Sequence, residues 1–522
     1  MGTMDNKAKM GCGACVSRRQ FLAGCAACAA GTAGLTGLGV GSAAADAAVK
    51  PRVRLIFSTS PNTGPIWPNI GFDFEPPKRQ LLAKLAAACP NVEFLPATAQ
   101  SGQEAQRLLA EDKDKQVDGY LVYLMACWTG VPSAIATSKK PTIFADMLYG
   151  GSGEFLIQNA AARRQKMNVA CVTSSRLDDI ADAARCFEVL KRPGGSVEAF
   201  LAAVNAARKK ATKPAGDLAC IADPVKTVDP SECLKRLGQS TVLVVGGNAE
   251  PFVQPVKDLF GTKVLGLDFK EINQLYLKAD RDEAQAIADR WIRSAEKMIE
   301  PKRDEIVRCG AMYLGMKALM KKHSAQAITI NCLGGFYGGH ITAYPCLGFH
   351  QLNNDGLVGG CEADITSAIT MLVMTHLTGR PGYISDPVID TSKNQIIYAH
   401  CVAPNKVFGP QGPSNPYHIR NHSEDRKGAV VRSLMPLGYM TTTVEFHPFR
   451  KEILFHQGKS VENVDEDKAC RSKLAVEVKG DIEKLMNEWD HWGWHRVTVY
   501  GDLKEPIFAL ADAMGWKVVE EA

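Results

Sequence analysis

From Val53 onward, short apolar runs alternate with amphipathic helical ones, and that alternation leaves few folds open. Residues 54–58, 93–96, 120–124, 142–145 and 168–173 read as strands, and residues 78–88, 104–111 and 157–166 between them read as helices. Alternation at this spacing means βαβ units and a parallel sheet. The pattern pauses after Pro193 in a Lys- and Ala-rich bridge, residues 194–217. It resumes with a strand at 240–245, long helical patterns at 282–299 and 303–322, and a strand at 327–331. Gly246-Gly247-Asn248 lacks the G-x-G-x-x-G spacing, so it reads as a tight strand-to-helix turn, not a dinucleotide site. Beyond Leu333 the chain reads as mixed β, with few helices before 482–490 and 505–515. The expected fold class is α/β: two Rossmann-like parallel-sheet domains, residues 50–193 and 217–332, then a β-rich domain, residues 333–522.

Residues 1–45 are expected to stand outside that fold. Ser17-Arg18-Arg19-Gln20-Phe21-Leu22 is a twin-arginine pattern, followed by an Ala/Gly-rich stretch that ends in Ala43-Ala44-Ala45. It predicts a twin-arginine signal peptide, the twin-arginine export machinery as partner, and a periplasmic or extracellular destination. Leu22-Ala23-Gly24-Cys25 also resembles a lipoprotein box, but it lies too close to the arginines to rank first. The net charge of +5 comes largely from this segment; the remainder has 57 Lys/Arg against 55 Asp/Glu. That balance gives no electrostatic footprint for nucleic acid, and no run in the body is long and apolar enough for a membrane span. Twelve cysteines are scattered from Cys89 to Cys470 without a C-x₂-C pair, which argues against a zinc knuckle or an iron–sulfur site.

All 11 histidines fall between His323 and His495, so a metal or acid–base site is expected there. The stretch 359–404 supplies partners. Glu362 opens a segment with a helical apolar stripe, ended by Gly379 and Pro381. Asp386 stands beside Pro387, and a β-type run delivers His400. Two carboxylates and an imidazole at element edges suit a divalent ion such as Mn²⁺. The separate readings are an electrostatic cap, a turn former and a core histidine.

These residues resemble the carboxy-terminal active-site region of the L-fucose and L-arabinose isomerases. Those enzymes have an E-G-D motif leading into a helix, an acidic residue some two dozen positions later, a His in the next strand, and a His before the last β segment. Here stand Glu362-Ala363-Asp364, Asp386, His400 and Trp494-His495-Arg496-Val497-Thr498-Val499, with Ala363 in place of the Gly. The resemblance covers the body in layout; its specific motifs cover residues 332–404 and 490–520. It implies that Glu362, Asp386 and His495 bind Mn²⁺ or another divalent ion (Mg²⁺ or Co²⁺), with His400 a fourth ligand or a substrate contact. It also implies a trimer or hexamer, and Glu362 and Asp386 as the catalytic pair of an aldose–ketose isomerase working through an enediol.

Asp364 is expected to orient a ligand or to serve a helix start. Cys332, Cys346 and His422, in loops rich in small or polar residues, are expected to line the sugar site. Trp489, Trp492 and Trp494 near His495 read as core packing, ahead of an aromatic wall for a sugar face, and His447, His456 and His491 are expected to be exposed or structural. Two other readings stay open: a periplasmic carbohydrate-binding protein, or epimerisation or elimination of a sugar derivative on the same fold.

Overall fold

The computed structural model describes residues 49–61 and 63–522; the expected export signal and lipoprotein box lie outside them. The first sheet is parallel, in spatial order Glu93–Ala99, Arg52–Ser58, Gly119–Leu124, Thr142–Asp146, Val169–Val172. Arg52–Ser58 and Gly119–Leu124 are buried almost throughout because helices cover both faces. The bridge after Pro193 is not a linker. Residues Val197–Ala211 form a helix that inserts Phe200 and Val204 into this domain's core, and its Arg208 pairs with Glu483 at 2.7 Å.

The second sheet is also parallel, in order Val358–Cys361, Ala327–Ile330, Thr241–Val245, Lys263–Leu267. Two of these strands escape the sequence pattern. Val358–Cys361 reads VGGC and Lys263–Leu267 reads KVLGL, and glycine removes the β-branched signal from both. The expected all-helical segment 282–299 is the helix Arg281–Ser294 followed by a short strand, Lys297–Met298. The helix Ile365–Thr378 has Asp364 as N-cap and Gly379, at φ 69°, as its left-handed C-cap.

The β-rich part starts at Tyr383. Its antiparallel ladder runs Met440–His447, Arg496–Tyr500, Tyr383–Asp390, Gln395–His400, Ser472–Lys479, Glu452–Asn463. The last strand pairs back onto the first, so the sheet closes into a barrel. Lys517–Glu520 adds a parallel strand outside it. Closure depends on Gly458, where a Cβ would stand 2.4 Å from the Glu477 carbonyl oxygen. Among the described residues no helix is long and apolar enough to cross a membrane.

Candidate active site

The site forms where the carboxyl edge of the second sheet meets one end of the barrel. Open parallel sheets bind ligands at that edge, because the turns there are free to present side chains. Strand Val358–Cys361 ends directly before Glu362 and Ala363, both left-handed, at φ 61° and 52°. Neither is glycine, so the turn is strained. It fits because Gly247 faces it: a Cβ at Gly247 would stand 2.7 Å from that of Ala363. The Gly246-Gly247 pair thus acts as packing space for the turn that presents Glu362.

Asp386 lies in the barrel strand Tyr383–Asp390. Its neighbour Arg496–Tyr500 pairs Arg496 with Ser385, so the antiparallel register continues to His495 opposite Asp386. His400 ends the strand on the other side, where Asp386 faces Ala399. Pairing alone therefore gathers Asp386, His495 and His400, and the strained turn brings Glu362 to them. His495 Nε2 lies 3.3 Å from Asp386 Oδ1 and 3.6 Å from Glu362 Oε2. His400 Nε2 lies 3.8 Å from Glu362 Oε1.

Asp364 has both expected roles at once. One oxygen accepts the Ser367 backbone N–H at 2.9 Å and caps the helix; the other accepts His495 Nδ1–H at 2.9 Å. That bond puts the neutral-ring proton of His495 on Nδ1 and leaves Nε2 facing the two carboxylates, buried and without a hydrogen-bond partner. His400 has the opposite arrangement. Its Nδ1 accepts the Cys401 backbone N–H at 2.9 Å, so its proton sits on Nε2, which is likewise buried and unpartnered. His495 thus offers a lone pair, and His400 an N–H donor. A His400 ring nitrogen also lies within 4.8 Å of ligand atoms of Cys361 and Glu362, and of Asp386 and Cys470.

Electrostatics divide the two carboxyls. Burial pushes Glu362 well above its ordinary value, and Asp386, Cys332 and Glu424 push the same way against His495. Burial would also raise Asp386, but the His495 ring 3.3 Å away, His400 and the Trp494 N–H hold it below the usual carboxylate range. Burial would lower His495, yet Asp364, Asp386 and Glu362 keep it well above its normal value. Burial holds His400 down to about 4, so it is neutral at pH 7. One carboxyl is thereby kept charged and the other neutral, the division that acid–base chemistry uses.

A cleft of about 300 Å³ opens onto Glu362 and Asp386. Its walls include Trp67, Trp128, Trp494, Tyr337, Cys127, Leu333 and Glu424, whose carboxyl burial raises to about 7. Of the three tryptophans expected in the core, Trp489 and Trp492 are buried, while Trp494 lines the cleft and donates its indole N–H to Asp386 at 2.6 Å. Trp494→Phe keeps the ring and removes the donor. A hydrogen bond to a charged group contributes about 1.5–3 kcal/mol, so the Asp386 carboxyl is expected to rise toward its ordinary value in this variant, read by its NMR titration.

The remaining expected residues lie outside this lining. Cys332 and Cys346 are buried. His422 pairs with Asp425 at 3.2 Å; burial would lower it, but that partner, with Cys401 and Glu424, raises it to about 10. His456 is fully buried between the Tyr398 hydroxyl and Glu521, at 2.6 and 2.9 Å, and is structural. Sequence reasoning missed Trp67, Trp128 and Cys127, which reach the cleft from first-domain loops. No local pattern marks them except the positive φ of Trp128, 60°, which a sequence does not display.

No family model matches the chain. Among curated proteins it is similar to sulfoquinovose isomerases. It is 24% identical over 275 residues to that of Clostridium sp. (strain MSTE9) and 25% over 306 residues to that of Priestia megaterium. To that of Alkalicoccus urumqiensis it is 27% identical over 274 residues. These alignments take in 49%, 55% and 50% of this chain and 57%, 65% and 59% of the relatives, so the chain spans less than two thirds of the curated proteins it matches. Among solved structures, the XylFII molecule aligns with 56% of the chain at 14% identity and a TM-score of 0.16, too low to bear on the fold.

Proposed function

We propose that the chain is an aldose–ketose isomerase that moves a proton between C2 and C1 of a sugar through an enediol or enediolate. The observation that carries this reading is the convergence of Glu362 and Asp386 on the unpartnered Nε2 of His495, at one end of an aromatic-walled cleft. The similarity to sulfoquinovose isomerases supports it.

Two carboxylate oxygens and an imidazole lone pair fit a divalent ion such as Mn²⁺, and the orphaned Nε2 is the atom such an ion would satisfy. When bound there, the ion supplies Lewis-acid polarisation of the sugar's C1 and C2 oxygens. Asp364 fixes the His495 ring so that Nε2 keeps its direction. His400, neutral and protonated on Nε2, donates to a sugar oxygen and helps stabilise the developing enediolate. Glu362 and Asp386 exchange the proton: one accepts it from carbon while the other delivers it to the neighbouring oxygen. Trp494 holds Asp386 in line, and with Trp67 and Trp128 it gives the apolar face of a sugar ring a surface to pack on.

The test is solvent exchange. Purified protein is loaded with Mn²⁺ and given sulfoquinovose and a panel of uncharged aldoses in D₂O. Ketose formation with deuterium entering C1 or C2 is expected for at least one sugar. Bound metal with neither isomerisation nor exchange for any of them would remove the isomerase reading and leave a carbohydrate-binding protein.

We also propose that the chain is exported through its arginine pair. Arg18→Lys combined with Arg19→Lys is expected to strand full-length precursor in the cytoplasm, read by fractionation; unimpaired export would overturn the proposal.

A further inference from the structure

Twelve cysteines among the described residues carry free thiols, and the isomerase reading uses none of them. Two thiol pairs are in contact, Cys401 with Cys470 and Cys332 with Cys361, and the second joins the ends of the two strands that lead into the site. Cys332 Sγ and Cys361 Sγ are 3.2 Å apart, both buried, at the carboxyl ends of neighbouring parallel strands. Cys361 closes Val358–Cys361 and immediately precedes Glu362. Cys332 opens the short helix after Ala327–Ile330 and immediately precedes Leu333. Glu362 and Leu333 both line the cleft, so the two sulfurs lie one residue from it on each side.

We propose that Cys332 and Cys361 form a dithiol–disulfide pair that ties together the two strands carrying the site and fixes the turn that presents Glu362. A disulfide needs sulfurs about 2.0 Å apart, so the 3.2 Å pair has roughly an ångström to close. The step is thiol–disulfide exchange with a small-molecule or protein disulfide. One cysteine attacks a donor sulfur and releases a donor thiol; the second then attacks the mixed disulfide and releases the other. Two cysteine thiols are oxidised, one donor disulfide is reduced to two thiols, and the protons pass to the departing thiolates.

The device answers a need visible in the backbone. Glu362 and Ala363 are both left-handed without being glycine, and such a pair persists only where its surroundings hold it. Gly247 makes room for the turn but does not tether it. A covalent link from Cys361 to the neighbouring strand end would resist relaxation of that turn and so keep the Glu362 carboxylate on station. This consequence for the ion rests on the isomerase reading; the bond itself does not.

The experiment compares full-length protein reduced with dithiothreitol and oxidised with glutathione disulfide. Free thiols are then alkylated and the digests mapped by mass spectrometry without reduction. The expected result is one cross-linked peptide joining Cys332 to Cys361, with Cys186, partly exposed and far along the chain, still alkylated. Recovery of both Cys332 and Cys361 as alkylated peptides after oxidation, or linkage of either to another cysteine, overturns the proposal. The mapping is done on the unmutated chain, so it does not depend on a variant that folds. A second readout is Mn²⁺ affinity by titration calorimetry: the oxidised form is expected to bind about threefold or more tightly, and Cys332→Ser to abolish the difference. Equal affinity of oxidised and reduced protein, with the cross-link present, removes the positioning role. If neither form binds Mn²⁺ while the cross-link forms, the metal reading has failed and the disulfide stands.

Discussion

Glu362→Gln is expected to weaken divalent-ion binding and to lower turnover by about 10²–10⁴-fold, the contribution usual for a general acid–base group. Gln preserves shape and hydrogen-bonding capacity but removes both the charge and the exchangeable carboxyl proton. The protein should stay folded, because Glu362 sits at the cleft and its removal also takes away a carboxyl that burial and three like-charged neighbours disfavour. Activity loss and stability should therefore part company. Ion binding should be linked to protons: burial favours the protonated form of Glu362, and the neighbouring carboxylates favour that of His495, so an ion that occupies their atoms competes with protons. Calorimetry in buffers of different ionisation enthalpy reads the number released, which is expected to fall in Glu362→Gln. Stoichiometric metal in Glu362→Gln combined with Asp386→Asn would show that other residues hold the ion. His491→Ala serves as control, since His491 is exposed and meets the Trp492 ring edge-on.

The parts of this site visible in the sequence are those whose local chemistry announces itself. Glu362, His400 and His495 stand at element edges, and a change from apolar run to polar residue marks such edges; Asp386, expected in a turn at an edge, lies inside the strand Tyr383–Asp390 because it pairs with Ala399. The two parallel sheets were readable for the same reason: strands buried on both faces, such as Thr241–Val245, are uniformly apolar. Val358–Cys361 was not, because its two glycines leave nothing to read, and its loss moved the second sheet's end back to residue 332. Barrel closure is a pairing between Met440–His447 and Glu452–Asn463, a long-range property with no periodic trace. Trp494 is indistinguishable from Trp489 in the sequence, because spacing along a short helix and loop does not say which ring faces out. The tautomers were also hidden. The difference between His495 as lone-pair bearer and His400 as donor comes from one carboxylate and one backbone N–H.

The largest stability effect is expected one strand behind the site. Arg496 is completely buried, and its guanidinium meets Glu521 at 2.7 Å while stacking over Trp489 at 4.2 Å from the ring centre. It also donates to the His495 carbonyl oxygen at 2.9 Å, so the same arginine steadies the backbone that carries the candidate ligand. Glu521 in turn accepts His456 Nδ1–H. Glu521→Ala leaves a buried guanidinium without its counter-charge, and breaking such a pair from one side costs about 3–5 kcal/mol. Chemical denaturation should show that loss near pH 7. The pH dependence follows from the direction of the shift. Burial would raise Glu521, but the charge of Arg496 and the His456 hydrogen bond lower it from 4.5 to about 2. A carboxyl depressed in the folded state contributes stability that is complete above its unfolded value and lost as pH falls toward the folded one. A shift of that size corresponds to roughly 3 kcal/mol. Unfolding curves should therefore show the unmutated protein losing stability between about pH 4.5 and pH 2. Glu521→Ala should show a shallower decline over the same window, and parallel curves for the two proteins would mean that Glu521 is not the group responsible.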